Sequence, residues 1–201
     1  MFSWQVRDPS EFFAHLPEIE TERLVLRTMR LDDAEAMFAY ASDPRVAEHV
    51  DWYPHGSVEE SRRFLVAAVE RYARGASVGW AITLRGEDKL VGSAGFFDWA
   101  IAHARAEIGY SLAYWLWNRG YMTEAVRALV RFGFERMALN RIEARCKVVN
   151  LASARVLEKA GFRLEGVLRQ HQHTKGAFED MKLYAILRED WQPPERGGIT
   201  P

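Results

Sequence analysis

The sequence has one cysteine, no excess of charge of either sign and no long apolar run. Cys146 has no second cysteine with which to form an internal disulfide, which fits a reducing compartment. The 27 basic and 28 acidic residues leave a net charge of −1, whereas a nucleic-acid-binding protein usually carries a basic excess. No apolar stretch approaches the roughly 20 residues that a transmembrane helix needs. We therefore expect neither a nucleic-acid nor a membrane partner.

Signal and nucleotide-binding motifs are also missing. The N-terminal segment MFSWQVRDPSEFF has no basic region followed by an apolar one, so it is not typical of a secretory signal, and we expect a cytoplasmic location. Neither the P-loop pattern GxxxxGK[ST] nor the dinucleotide-binding pattern GxGxxG occurs. Cys146 itself is expected to be a small buried residue of a strand.

The composition predicts one globular domain with short extensions. The chain has 201 residues, of which 48% are hydrophobic, enough for a sizeable core. Aromatic residues in the first 18 positions (Trp4, Phe12, Phe13) predict an arm that packs on the domain. The proline- and glycine-rich segment 192–201 predicts a flexible tail, so the domain is expected to span residues 19–191.

Hydrophobic periodicity alternates between strand and helix along the chain. The helical segments are 31–43, 57–74, 120–137 and 151–160, and the strand-like segments are 23–28, 77–85, 89–99, 105–114, 141–149, 162–171 and 178–187. This order predicts an α/β (α+β) fold with a mixed, mostly antiparallel sheet of about six to seven strands and helices on both faces.

A turn with Gly120 leads directly into the strongest predicted helix. The first amides of a helix have no partner within it, and with the helix dipole they favour a bound phosphate. Gly120 would let such a group approach the backbone closely, with Asn118, Arg119 and Thr123 beside it. A plain turn is the alternative interpretation. Glu124, one turn into this helix, is either a carboxylate favoured by the helix dipole or a catalytic group.

Asn150 and Ser153 lie where a strand passes into the helix 151–160. From spacing alone the pair is interpreted as helix capping. The functional alternative is an amide that orients a ligand and a hydroxyl that gives up a proton.

Three segments together resemble the GNAT acetyltransferases, and within them the RimJ/RimL-like branch. They are TERLVLR at 21–27, the block from EIGY to NRGYMTEA at 107–125, and NLASARVLEKAGFRLEG at 150–166. The resemblance covers roughly residues 19–190. It implies the GNAT fold and transfer of an acetyl group from acetyl-CoA to a primary amine, either a protein N-terminal amine or a small-molecule amine. It implies no metal.

The resemblance also implies the cofactor-binding residues. The family's pyrophosphate loop, Q/R-x-x-G-x-G/A, falls on residues 117–122; it keeps Gly120 but has Trp117 and Met122 at its ends. Backbone amides of this loop would hold the pyrophosphate, and the strand end would offer backbone groups to the pantetheine arm. The implied residues are Leu112, Ala113, Asn118, Arg119, Gly120, Tyr121, Met122, Thr123, Asn150 and Ser153.

The amine must lose a proton before it attacks the thioester, and the leaving thiolate must gain one. The resemblance assigns the second proton to Ser153, with Asn150 on the pantetheine. For the base we take Glu107, whose alternative role is a hairpin salt bridge. Glu59, Glu60, His171 and His173 are the other candidates, and Asp98 could attract the ammonium or simply end a strand. Proximity in a ternary complex would supply much of the rate, without a covalent acyl-enzyme.

The acceptor is expected between the first two helices and the 164–180 hairpin. Aromatic residues could line a slot for the amine there, or belong to the core or to a homodimer surface; they are Trp52, Tyr53, Trp99, Tyr114, Trp115 and Trp117. Two other classes stay open: an acyl-CoA-binding sensor without turnover, and an enzyme with a different nucleotide phosphate.

Overall fold

The computed structural model describes residues 16–73 and 78–192. The aromatic residues of the expected arm and most of the expected tail lie outside these ranges. Across the described ranges, no helix combines the length and the apolar composition needed to cross a bilayer.

Within these ranges eight strands form one sheet in the order β1-β2-β3-β4-β5-β6-β8-β7. They are β1 Ile19–Glu20, β2 Leu24–Arg27, β3 Val78–Leu84, β4 Leu90–Ala100, β5 Arg105–Leu112, β6 Arg141–Lys147, β7 Arg163–Thr174 and β8 Ala177–Leu187. All neighbours pair antiparallel except β5 and β6, which are parallel. The mixed, mostly antiparallel sheet is confirmed, and its additional strand is the two-residue β1.

The described helices are α1 Ala34–Ala41, α2 Pro44–Ala47, α3 Val58–Ala73, α4 Tyr121–Glu135 and α5 Leu151–Lys159. The helix expected over 31–43 begins with a 3-10 turn, and the four-residue α2 follows it. Sequence reasoning stopped at the Asp43–Pro44 bond, but proline is well suited to the first position of a helix. The Asp43 side chain caps α2, accepting a hydrogen bond from the Arg45 amide at 3.0 Å.

Helices cover both faces of the sheet, as predicted. On one face the buried Trp80 of β3 packs edge-on against Phe132 of α4, with ring centroids 5.1 Å apart, and against Phe96 of β4. On the other face the Tyr40 hydroxyl of α1 lies 3.5 Å from the Ser111 hydroxyl of β5. Alternate residues of β4 and β5 therefore point toward different pairs of helices.

The parallel strands β5 and β6 stay paired over only part of their length. Residues 105–107 pair with residues 141–143, and in the described structure no pairing continues beyond Glu107 and Glu143. A parallel pair needs a crossover connection, here α4, whose N-terminus follows the end of β5. The start of α4 thus follows the end of β5 and the start of α5 follows the end of β6, and these two helix starts carry the predicted site.

Candidate active site

A cleft of about 770 Å³ opens at the gap between β5 and β6. Its walls come from the gap itself, from the start of α5, and from the segment before α3 together with α3. The residues that matter below are Trp52, Phe64, Glu107, Tyr110, Arg145, Cys146, Asn150, Ser153 and His171.

Asn150 and Ser153 make different contacts at the start of α5. The Asn150 Oδ1 accepts a hydrogen bond from the Ser153 backbone N–H at 3.0 Å, so Asn150 is the cap of α5. The Ser153 hydroxyl takes no part in this cap. It lies 2.9 Å from the Tyr110 hydroxyl, across the gap on β5.

Tyr110 supplies this hydroxyl in its protonated form. Burial raises the pKa of Tyr110 well above its ordinary value, and the hydrogen bond with Ser153 only partly offsets that effect. At neutral pH the phenol can therefore donate to Ser153. Cys146 beside them is buried, as expected, and burial raises the pKa of its thiol too.

Glu107 is a buried carboxylate at the point where β5 and β6 separate, with 5% of its surface exposed. Its two oxygens accept hydrogen bonds from the Arg145 Nε at 2.9 and 2.7 Å. Arg145 also lies 3.5 Å from Asp98 and contacts the Nε2 of His171. The salt bridge considered for Glu107 thus exists, but across the gap to β6 and not within the β4–β5 hairpin. Glu107 raises the pKa of Arg145.

The other carboxylates considered as bases lie outside the cleft lining. Glu60 accepts a hydrogen bond from the Gly56 N–H at 2.7 Å, next to the start of α3. Glu59 lies 3.6 Å from Arg62 on the surface of the same helix. The contacts given for both carboxylates are thus with residues at this end of α3.

The two histidines of β7 differ in position. His171 lines the cleft through its contact with Arg145. His173 does not; its ring packs 4.7 Å from the ring of Phe178 on β8.

The loop before α4 has the backbone shape of an anion site. Gly120 precedes the helix with φ of +80°, Asn118 has φ of +59°, and no side chain of the described residues caps this end of α4. The predicted cofactor residues Asn118, Arg119, Gly120, Tyr121, Met122 and Thr123 form the loop and the first turn of α4. Glycine adopts a φ of +80° without strain, and its missing Cβ leaves the amides accessible.

Both unusual ends of this loop face away from the exposed turn. Met122 is 8% exposed and belongs to the hydrophobic core. The Trp117 indole N–H donates to the Leu112 carbonyl at 2.8 Å and its ring packs against Tyr114. Neither side chain crowds the amides, so the loop fits a diphosphate.

The backbone groups of Ala113 have partners within the protein. Its N–H donates to the Val91 carbonyl at 2.8 Å, and its carbonyl accepts from the Leu116 N–H. The Leu112 carbonyl has a partner in Trp117. The edge of β5 that faces the gap has no strand partner among the described residues over 108–112, so it ends at the predicted Leu112.

The sequence was compared with protein families and with individual known proteins. Residues 23–163 match the family described as "Acetyltransferase (GNAT) domain". The chain belongs to the GNAT acetyltransferase family. Its members are acetyl-CoA-dependent N-acetyltransferases, in agreement with the resemblance and with the geometry of the cleft.

Individual relatives place the chain in the RimJ/RimL-like branch. The uncharacterized N-acetyltransferase YoaA of Bacillus subtilis (strain 168) is 36% identical over 172 residues, which are 86% of this chain and 97% of YoaA. The ribosomal-protein-serine acetyltransferase of Escherichia coli (strain K12) is 32% identical over 65% of this chain and 72% of its own length. The crystal structure of a GNAT-family acetyltransferase from Bacillus anthracis superimposes with a TM-score of 0.77 at 32% identity, over 86% of this chain and 99% of that one.

Sequence reasoning missed two residues of this GNAT site, Tyr110 and Arg145. Alternation along EIGY places Tyr110 and Glu107 on opposite faces of β5. Both residues nevertheless line the cleft, because it lies at the gap beside the strand. Arg145 lies two residues beyond Glu143 in the alternating segment RIEARCK. Its position next to Glu107 follows only from the parallel pairing of β5 and β6.

The aromatic residues considered for the acceptor slot of this GNAT domain differ in position. Of the six aromatic residues considered, all within the described ranges, Trp52 lines the cleft. Trp99 and Trp117 pack against the core, and Tyr53, Tyr114 and Trp115 are exposed.

Proposed function

We propose that this protein transfers the acetyl group of acetyl-CoA to a primary amine by direct attack within a ternary complex. The observation that supports it most is the gap between β5 and β6. The Ser153–Tyr110 hydroxyl pair spans it, and the N-terminus of α4, which no described side chain caps, follows the end of β5. A thioester placed along the free edge of β5 would have its diphosphate at α4 and its sulfur toward Ser153.

Residues 118–123 would hold the diphosphate by backbone amides and the positive end of the α4 dipole. The free edge of β5 would bond to the pantetheine arm as an additional strand does. A backbone N–H of that edge can also donate to the carbonyl oxygen as negative charge develops there.

Ser153 is proposed to give a proton to the leaving thiolate. The Tyr110 hydroxyl, 2.9 Å away and held protonated by burial, can replace that proton. Asn150 supports this step by fixing the first turn of α5 through its cap.

Glu107 remains the proposed base. Among the described residues that line the cleft, Asp51 and Glu107 are the carboxylates, and Glu107 is the one at the gap. Arg145 donates hydrogen bonds to both oxygens of Glu107. The proton of the acceptor ammonium would therefore reach Glu107 after the Glu107 carboxylate shifts within this ion pair, or it would pass through a water. His171, on the other side of Arg145, is the alternative.

The acceptor is proposed to be a peptide N-terminal amine or a small primary amine, bound against the wall formed by Trp52 and Phe64. The ribosomal-protein-serine acetyltransferase relative supports the first of these. The near-neutral charge and single buried cysteine fit a cytoplasmic location, which is part of the proposal.

The experiment is acetyl transfer from labelled acetyl-CoA to a panel of peptides and small amines, with release of free CoA measured in parallel. Label in an amine together with an equal amount of CoA supports the enzyme. Tight CoA binding without transfer to any amine supports the sensor. Binding of ATP or NAD in preference to CoA would contradict the cofactor assignment.

Replacing Gly120 with aspartate is expected to raise the Kd for acetyl-CoA at least about tenfold. The substitution brings a carboxylate into the anion site, where like charges about 4 Å apart repel by ~1–4 kcal/mol. Calorimetry on the folded variant measures this. Gly120→Asn is the matched control, because asparagine has nearly the same shape, tolerates the left-handed backbone and carries no charge. A Gly120→Asp variant that is folded and binds acetyl-CoA as tightly as the wild type would remove the loop from the site.

A further inference from the structure

The segment TERLVLR and the helix residue Glu124 have no role in the reaction described so far, yet they meet at the loop before α4. One oxygen of Glu124 accepts hydrogen bonds from the Thr21 hydroxyl at 2.7 Å and the Arg23 backbone N–H at 2.8 Å. The other oxygen accepts from the Arg23 Nε at 2.7 Å and lies 2.6 Å from its Nη2. Hydrogen bonds thus join the segment just before β2 to the first turn of α4.

The same arginine reaches into the loop itself. Its Nη1 donates to the Arg119 carbonyl at 3.0 Å, and its guanidinium lies over the Tyr121 ring, 4.5 Å from the centroid. A Cβ on Gly120 would lie 3.4 Å from the Arg23 Nη2. Arg23 therefore contacts the residues on both sides of Gly120 and leaves Gly120 itself exposed.

The charge of Glu124 requires such a partner. A carboxylate in the first turn of α4 is favoured by the helix dipole, but it would repel a diphosphate bound at the same end. Burial opposes ionisation of Glu124, yet the hydrogen bonds from Thr21 and Arg23 outweigh it and hold the pKa of its carboxyl below the ordinary value. Arg23 balances the resulting negative charge.

We propose that Arg23, held by Glu124, is a positioning residue that keeps the loop 118–122 in the shape that binds the diphosphate of acetyl-CoA. The inference rests on the proposed function. Arg23 fixes the Arg119 carbonyl, so the amides on either side of Gly120 stay directed toward the anion before it binds. Preorganisation of this kind lowers the cost of binding.

The test measures KM and kcat of the wild type and of the Arg23→Gln variant with each of two acetyl donors. Acetyl-CoA carries the diphosphate, and S-acetylpantetheine lacks it. With acetyl-CoA the KM should rise about tenfold, because charge-assisted hydrogen bonds are the stronger ones, with little change in kcat. With S-acetylpantetheine both constants should match the wild type. Arg23→Lys keeps the charge but lacks the forked geometry of the guanidinium. Its KM for acetyl-CoA should therefore lie between the values of the wild type and of Arg23→Gln.

Arg85→Gln is the matched control. The Arg85 side chain is 50% exposed, against 41% for Arg23, and it bonds to the Thr21 carbonyl and to Glu20 on the same edge of the sheet. It should leave both KM values unchanged. A parallel rise in KM for both donors with Arg23→Gln, or no rise for either, would overturn the inference.

Failure of the proposed function gives a different result. If the wild type transfers no acetyl group to any amine, calorimetry with CoA replaces kinetics. Arg23→Gln should still weaken CoA binding about tenfold while Arg85→Gln does not. Equal CoA affinities of the wild type and the two variants would reject the role of Arg23 independently of catalysis.

Discussion

Replacing Ser153 with alanine is expected to lower kcat by about 10²–10⁴-fold, the usual contribution of a general acid, with little change in acetyl-CoA affinity. The Ser153 hydroxyl is bonded to Tyr110 and not to the helix end. Asn150 caps α5 through the Ser153 backbone N–H, which alanine retains. Steady-state kinetics and calorimetry on the same preparation measure both quantities.

A stability control separates this role from a structural one. Ser61 is fully buried, its hydroxyl lies 2.8 Å from the His55 Nδ1, and it does not line the cleft. Ser61→Ala should lower the melting temperature and leave kcat unchanged. Ser153→Ala should lower kcat and leave the melting temperature unchanged. A lower melting temperature with normal kcat for Ser153→Ala would favour a structural role.

Tyr110→Phe tests whether the two hydroxyls act in one step. If Tyr110 only returns the proton that Ser153 gives, the double variant should be no slower than Ser153→Ala alone. Losses that multiply would mean that the two hydroxyls act independently.

Replacing Glu107 with glutamine is expected to lower kcat by about 10²-fold or more at neutral pH. Glutamine keeps the size and the hydrogen-bonding reach but cannot take up the proton of the acceptor ammonium. The loss should shrink at high pH, where free amine is abundant. The measurement is the pH dependence of kcat for wild type and variant with one acceptor.

Glu143 offers the matched control for loss of an ion pair. It lies directly opposite Glu107 on β6 and bonds to Arg105 at 3.0 Å and Arg141 at 2.6 Å. Glu143→Gln should reduce stability and leave kcat near the wild-type value. If Glu107→Gln stays active at every pH, the base is to be sought at His171, where His171→Gln repeats the same comparison.

Residues whose partners are near in sequence were predicted well. The β3–β4 hairpin, helix α4 and the cap residue Asn150 all follow from local periodicity and turn chemistry. The short helix α2 was missed because Pro44 was interpreted as an end and not as a beginning.

Contacts between distant segments could not be predicted without the fold. The Glu107–Arg145 pair depends on β5 and β6 being parallel neighbours, which a crossover helix produces. The Ser153–Tyr110 contact spans the same gap. The side chain of Met122 was compatible with either direction, and only the packed core shows that it turns inward.

Direct transfer in a ternary complex is tested by initial rates of CoA release at varied concentrations of both acetyl-CoA and an active acceptor. We expect double-reciprocal lines that intersect, together with an enzyme that carries no acetyl group after incubation with acetyl-CoA alone. Parallel lines and an acetylated enzyme, the pattern of a covalent intermediate, would contradict it.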